Sequence, residues 1–196
     1  ITLVPRPATL PVETWQPIVS ASDRQLKFMV KHGMRGIIGG GAAAGGATDR
    51  VMEAWRDAHA EAGIELELGE RLAIGYSVHI AETEEKAIEE ATPFFEENLK
   101  MFAPLGFVRG LTDDQISAAG DPKRARSAGL PTLRQAVDAG AWFCGPSESI
   151  IEKLKEVEER YPGLESVNVQ QTIGTPESVI LEQLQQFSEE VMPAFK

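Results

Sequence analysis

A fourfold alternation constrains this chain most. Short apolar segments with almost no charge give way to stretches whose apolar residues recur at three- and four-residue spacing. Pro17-Ile18-Val19-Ser20-Ala21, Gly36-Ile37-Ile38-Gly39, Arg71 to Ile80 and Ser166-Val167-Asn168-Val169-Gln170 are of the first kind. Such runs suit strands covered on both faces, as in parallel sheets. Between the first two, Asp23 to His32 carries a helical stripe of Leu26, Met29 and Val30 that ends at Gly33. Thr48 to Ala62 sets Val51, Trp55 and Ala58 on one helical face, with Gly63 as the stop. Thr83 is expected to cap a helix with Ala87, Ile88, Ala91 and Phe95 inward, bent or interrupted at Pro93. Leu133 to Ala139 reads as a short helix, and Pro146 starts another with Ile150, Ile151, Leu154 and Val157 inward. Thr175-Pro176-Glu177 opens the last helix, whose buried stripe is expected to be Leu181, Leu184, Phe187 and Val191.

Four strand-helix units correspond to half of an eight-stranded (β/α) barrel, which takes roughly 250 residues when whole. The expected fold is α/β, half of a (β/α)8 TIM barrel with four parallel strands alternating with helices; a doubly wound sheet is the alternative. The 196 residues suit one domain, residues 1–196, with one long connection at about 104–131 that is rich in Gly, Asp, Ser and charge. Ile1 at the start and the extended Val4-Pro5-Arg6-Pro7 give the expectation of a piece cut from something longer. A half-barrel exposes two strand edges and part of a core face, so another segment or chain is expected to cover them.

The net charge of −11 argues against a nucleic-acid or anionic-membrane surface, because neutralising phosphate needs a basic face. No apolar run reaches the roughly 20 residues of a membrane span, and no signal-peptide pattern opens the chain, so a cytoplasmic location is expected. Cys144 is the single cysteine and reads as a small buried hydrophobe. The three histidines, His32, His59 and His79, have no metal-ligand spacing, so no metal is expected. His79, near a strand end, is the one suited to a pocket. The acidic stretches Glu82 to Glu85 and Glu156 to Glu159 read as solvated helix faces.

The turn after the first strand carries the most chemistry. Ser20-Ala21-Ser22-Asp23-Arg24-Gln25 ends where a helix begins, and free N–H groups at a helix start favour a phosphate oxygen. Ser22 offers a hydroxyl, while Arg24 and Gln25 offer charged and neutral donors; a routine helix cap is the alternative. The run Gly39 to Gly46 lies after the second strand and lets a ring or backbone approach closely, but it matches neither a Walker loop nor a dinucleotide fingerprint. Lys123-Arg124-Ala125-Arg126 within the long connection reads either as an exposed loop or as part of a lid over an anionic cofactor.

Several phrases, in this order, resemble the bacterial luciferase-like flavin-dependent monooxygenases: Pro17 to Ser22, Lys31-His32-Gly33-Met34, Val78-His79-Ile80-Ala81-Glu82-Thr83, Gly145 to Ile150, and Phe187 to Phe195. The resemblance implies the C-terminal half of the barrel, strands five to eight. It implies reduced FMN as cofactor, with a deazaflavin as the alternative, and an organic small molecule and O2 as reactants through a peroxyflavin. The family's grip on the flavin phosphate maps onto Ala21, Ser22 and Gln25; Ala21 stands where the luciferase subunit has an acid, and Gln25 where it has a hydroxyl. The long connection matches the family's mobile loop after the seventh strand. Implied partners are the N-terminal half of the same barrel and a homo-oligomer or heterodimer. The alternatives in function are a non-catalytic flavin-binding or structural half-barrel and a deazaflavin-dependent oxidoreductase. No residue takes a catalytic role at this stage.

Overall fold

Parallel pairing of every strand dictates the layout, because it sends each strand's C-terminal end to the same side. The computed structural model describes residues 8–19, 21–39, 47–105, 108, 111–125 and 127–195. In chain order they form β1 (Trp15–Pro17), α1 (Asp23–Lys31), β2 (Arg35–Ile38), α2 (Ala47–Glu61), β3 (Leu72–Ile80) and α3 (Glu84–Phe102). Then follow α4 (Asp113–Ala119), α5 (Pro122–Ala125), α6 (Leu133–Asp138), β4 (Trp142–Gly145), α7 (Ser147–Arg160), β5 (Ser166–Gln170) and α8 (Glu177–Gln186). A π turn, Phe187–Val191, and a 3-10 turn, Met192–Ala194, complete the described chain. The expected α/β, TIM-barrel-like alternation is present, with the expected strands as β1, β2, β3 and β5; the first, expected from Pro17 to Ala21, ends at Pro17, and Val19 beyond it is exposed.

The nine-residue β3 organises the sheet. Ala73 and Ile74 pair with β2 on one edge and with β5 on the other, and Ser77 pairs with both Gln170 and Trp142. β4 therefore continues the β2 edge above the point where β2 stops. This fifth strand was not expected. Trp142-Phe143-Cys144-Gly145 is too short to show a period and is held by its pairing with Ser77 to Ile80.

Even-numbered residues of β3 face the helices. Leu72, Ile74, Tyr76, Val78 and Ile80 join Leu26 and Met29 of α1, Met52 and Trp55 of α2, and Ile150 and Leu154 of α7 in the main core. Ala73, Gly75 and Ser77, between them, face the other way and are small. In register they meet Ser166, Asn168 and Gln170 of β5, which are exposed. One side of the sheet is thus packed by helices, and the β5 part of the other side is open. Gly36 keeps the packed side close, since a Cβ there would lie 2.5 Å from Leu72 Cδ2 and 2.6 Å from Ile18 Cδ1.

Three local expectations are corrected. Pro93 does not interrupt α3, which runs through it; Pro93 is exposed, so water can take the carbonyl that loses its partner. The helix expected to start at Thr175-Pro176 starts at Glu177, with Pro176 in the capping position. Its buried face is also turned: Leu181 and Leu184 are exposed, at 60% and 43%, and Gln183 is buried, while Val191 is buried as expected. The cause is β3, which outruns β5 and leaves Ile80 without a strand partner on that edge. The Gln183 carboxamide replaces the strand, accepting from Ile80 N–H at 2.6 Å and donating to Ile80 C=O at 3.0 Å.

The long connection holds two short helices, α4 and α5, instead of an unpatterned loop. Thr112 and Gln115 form a reciprocal capping box at the start of α4. Leu111, Leu130 and Val108 pack on Leu99, Ala103 and Ala119 in a small core of their own. Among the described residues no helix is long and apolar enough to cross a membrane.

Candidate functional site

The C-terminal strand ends carry two features at one side of the sheet. The first is the turn before α1. Ser22 is its N-cap residue, yet its side chain makes no capping bond, and the first backbone bond of the helix runs from Leu26 N–H to Ser22 C=O. The N–H groups of Asp23, Arg24 and Gln25 therefore have no backbone acceptor among the described residues. Ala21, Ser22 and Arg24 are exposed, and Arg24 makes no ion pair among the described residues. Gln25 is half-buried and already used: its Nε2 donates to Pro17 C=O at 2.8 Å, bracing the strand end against the helix. Asp23 would repel an anion, but Lys27 lies 3.1 Å from its carboxylate one turn on. Gln16, Ser22, Arg24, Gln25 and Phe28 line an open depression of about 470 Å³ here. The residue types suit a phosphate. Ser20 and Gly40 to Gly46 lie outside the described residues, as does Arg126.

The second feature is a cavity of about 650 Å³ at the mouth of the sheet. Its floor is Gly39, Ser77 and Gln170. One wall is the C-terminal half of α3, with Phe95, Leu99 and Phe102; others come from α6 and Trp142, and from Gln171 to Ile173 after β5. Gly75 shapes the floor: a Cβ there would fall 2.5 Å from Gln170 Nε2, so glycine lets that carboxamide lie flat across the sheet. Phe95 and Trp142 hold the aromatic wall edge to face, with ring centroids 5.8 Å apart. Val108 and Pro131, from the two ends of the long connection, also line the cavity.

Of these lining residues the sequence singled out Gly39 for close approach of a ligand; the rest come from separated segments of the chain. One signal was present: Ala73, Gly75 and Ser77 are uniformly small on one face of β3. Lys123 and Arg124 are exposed, with Arg124 Nη1 donating to Ser117 Oγ at 3.0 Å, and neither lines the mouth.

The histidines are structural. His79 is buried, its Nε2 lies 3.2 Å from Glu90 Oε2, and it tethers α3 to β3 without lining the mouth. His32 caps α1 and packs on Phe28. His59 is buried, with Nδ1 3.0 Å from Trp55 C=O, and burial pushes its pKa below the ordinary value. Cys144 is fully buried and its thiol is pushed up to about 12 by that burial, which keeps it protonated and unreactive. Glu84 departs from the expected solvated face, since it pairs with both Arg134 and Lys153 and ties α3 to α6 and α7. Among the described residues no three His, Cys, Asp or Glu side chains gather as a metal site.

A second cleft, of about 400 Å³, lies on the helix-packed side of the sheet. There Tyr161 donates to Asp49 at 2.7 Å and Arg160 pairs with the same carboxylate, joining the start of α2 to the end of α7. It is a joint between helices.

The comparisons agree with this fold. No curated protein sequence matches the chain. Among solved structures it is similar to the oxygenating constituent of 3,6-diketocamphane monooxygenase from Pseudomonas putida in complex with FMN. That match has 18% identity and a TM-score of 0.65, and covers 94% of this chain and 49% of that one. It is similar to the coenzyme F420 dependent tetrahydromethanopterin reductase of Methanopyrus kandleri, with 18% identity, a TM-score of 0.64 and coverage of 94% and 51%. An F420-dependent secondary alcohol dehydrogenase in complex with an F420-acetone adduct matches with 15% identity, a TM-score of 0.64 and coverage of 100% and 52%. The chain thus spans about half the length of the solved structures it matches. The family model described as luciferase-like monooxygenase matches residues 1–162, and the chain belongs to that family.

Proposed function

We propose that this chain is the C-terminal half of a flavin-dependent monooxygenase that oxidises an organic small molecule with O2. The observation that carries the reading is the pairing, on one side of a parallel sheet, of an uncapped helix start with an uncharged cavity. In it, FMN places its phosphate at the turn of Ala21, Ser22, Arg24 and Gln25. The N–H groups of the first turn of α1 and the Ser22 hydroxyl donate to the phosphate, Arg24 adds charge, and Ala21 leaves room. Gln25 holds the turn by its bond to Pro17. Bound flavin supplies the redox chemistry, while the protein orients the reactants and excludes water.

The mouth cavity is the substrate side of that site. Residues 104–131 serve as its lid, and Val108 and Pro131 from them already line the cavity. The open side of the sheet calls for the other half of a barrel, supplied by the N-terminal half of the same protein, with a homo-oligomer or heterodimer as the assembly. A cytoplasmic location goes with this chemistry.

A deazaflavin-dependent oxidoreductase is the second reading, favoured by the two F420-dependent proteins among the similar structures. The test is turnover by the full-length protein with reduced FMN or reduced F420, under isotopically labelled dioxygen and under nitrogen. Label in an organic product with FMN supports the monooxygenase. Undiminished turnover under nitrogen with F420 replaces it by hydride transfer, and no turnover under either gas leaves a binding role.

A further inference from the structure

We propose that the cleft of about 400 Å³ on the helix-packed side of the sheet is a second small-molecule site, and that it takes an organic cation, an ammonium group on an aromatic or apolar body. The site is independent of the flavin reading. Tyr76 packs among the helices and lines this cleft, whereas its neighbour Ser77 lines the mouth, and the two spaces share only Ala139 among their described lining residues.

The apolar part of the cleft is aromatic. Tyr76 and Phe143 lie stacked there, with ring centroids 4.4 Å apart and planes 20° from parallel, and Val137 and Val157 add to the same lining. These groups form a bed for the body of a ligand. The charged part is unbalanced. Its two cations are already paired, Arg160 with Asp49 and Lys153, at 3.5 Å, with Glu84. Asp138 of α6 and Glu156 of α7 line the same cleft, and neither carboxylate has an ion-pair or hydrogen-bond partner among the described residues. Asp138 is the last residue of α6, and Ala139 and Gly140 after it also line the cleft, so the negative end of that helix borders the same space. A ligand ammonium therefore gains two unanswered carboxylates and a helix end. A ligand carboxylate meets the same groups as repulsion, and a neutral molecule gains the aromatic bed alone. Asp138 and Glu156 are exposed, so the charge preference is modest and weakens with salt.

The test is calorimetric titration of the full-length protein at low salt, with and without FMN, using 2-phenylethylammonium, 2-phenylethanol and 3-phenylpropanoate as probes. The ammonium probe is expected to bind about threefold to tenfold tighter than the alcohol, the worth of two solvent-screened ion pairs, and tighter still than the carboxylate. Asp138→Asn with Glu156→Gln should abolish the preference for the ammonium over the alcohol. Glu152→Gln with Glu159→Gln removes the same charge from exposed positions of α7 that do not line the cleft, and should keep that preference. The proposal is overturned if the alcohol or the carboxylate binds as tightly as the ammonium, or if no probe binds. It is equally overturned if the cleft variant keeps the preference, if the control variant loses it, or if FMN displaces the ammonium probe. Heats measured without FMN stand whether or not the flavin binds, so a failure of the flavin reading is seen separately.

Discussion

Replacing Ser22 and Arg24 together by alanine is the sharpest perturbation of the proposed phosphate turn, because neither side chain does structural work there. Ser22 makes no capping bond and both residues are exposed, so the helix should lose almost nothing. What is lost is interaction with the ligand. A hydroxyl bond to a charged phosphate is worth about 1.5 kcal/mol. The solvent-screened guanidinium adds about 0.5 kcal/mol. Together they amount to about 2 kcal/mol, or about 30-fold in affinity. The N–H groups and helix dipole remain, so binding is weakened without being abolished. Quenching of flavin fluorescence by the full-length protein measures this, with riboflavin, which lacks the phosphate, expected to change by less than about twofold. Far-UV circular dichroism and the melting temperature should stay as in the parent. Equal losses for FMN and riboflavin, or no loss for FMN, would refute the assignment of the phosphate to this turn.

Other outcomes follow from the fold. Gln183→Leu leaves both the N–H and the C=O of Ile80 unpaired in a buried place, and should lower stability by about 2–4 kcal/mol in urea titration; a change below about 0.5 kcal/mol would contradict the role given to that carboxamide. Gly36→Ala drives a methyl into Leu72 and Ile18 and should lose about 1–3 kcal/mol. Gly75→Ala meets at close range only the far end of the Gln170 side chain, so it should cost less than Gly36→Ala. His59, whose folded pKa lies below its unfolded value, binds its proton more readily in the unfolded chain. Stability should therefore fall as pH drops below about 6.5, and His59→Gln should flatten that slope. An unchanged slope would assign the acid sensitivity elsewhere.

Much of this architecture was readable because parallel strands and amphipathic helices leave local periodicities. Leu26 and Met29 of α1, Val51 and Trp55 of α2, and Ile150 and Leu154 of α7 are buried as their spacing demands. The failures lie where long-range pairing decides. Trp142 to Gly145 becomes a strand only because β3 extends past β2, and Gln183 turns inward only because β3 extends past β5. No local pattern carries either fact. The helix at Asp113 was hidden by polar composition, although Thr112 and Gln115 spelled out its capping box. The turn at Ser22 was legible because it lies within seven residues of chain. The mouth was not, since it is assembled from α3, α6, β3 and the end of β5.

The most direct test of the account is a crystal structure of the full-length protein with FMN. It is expected to show the phosphate within hydrogen-bond reach of the Ser22 hydroxyl and the first N–H groups of α1. The flavin should border the mouth cavity, and other strands of the barrel should cover the open side of β5. A phosphate seated at another helix start, or a sheet whose open side stays uncovered in the whole protein, would contradict the central claim.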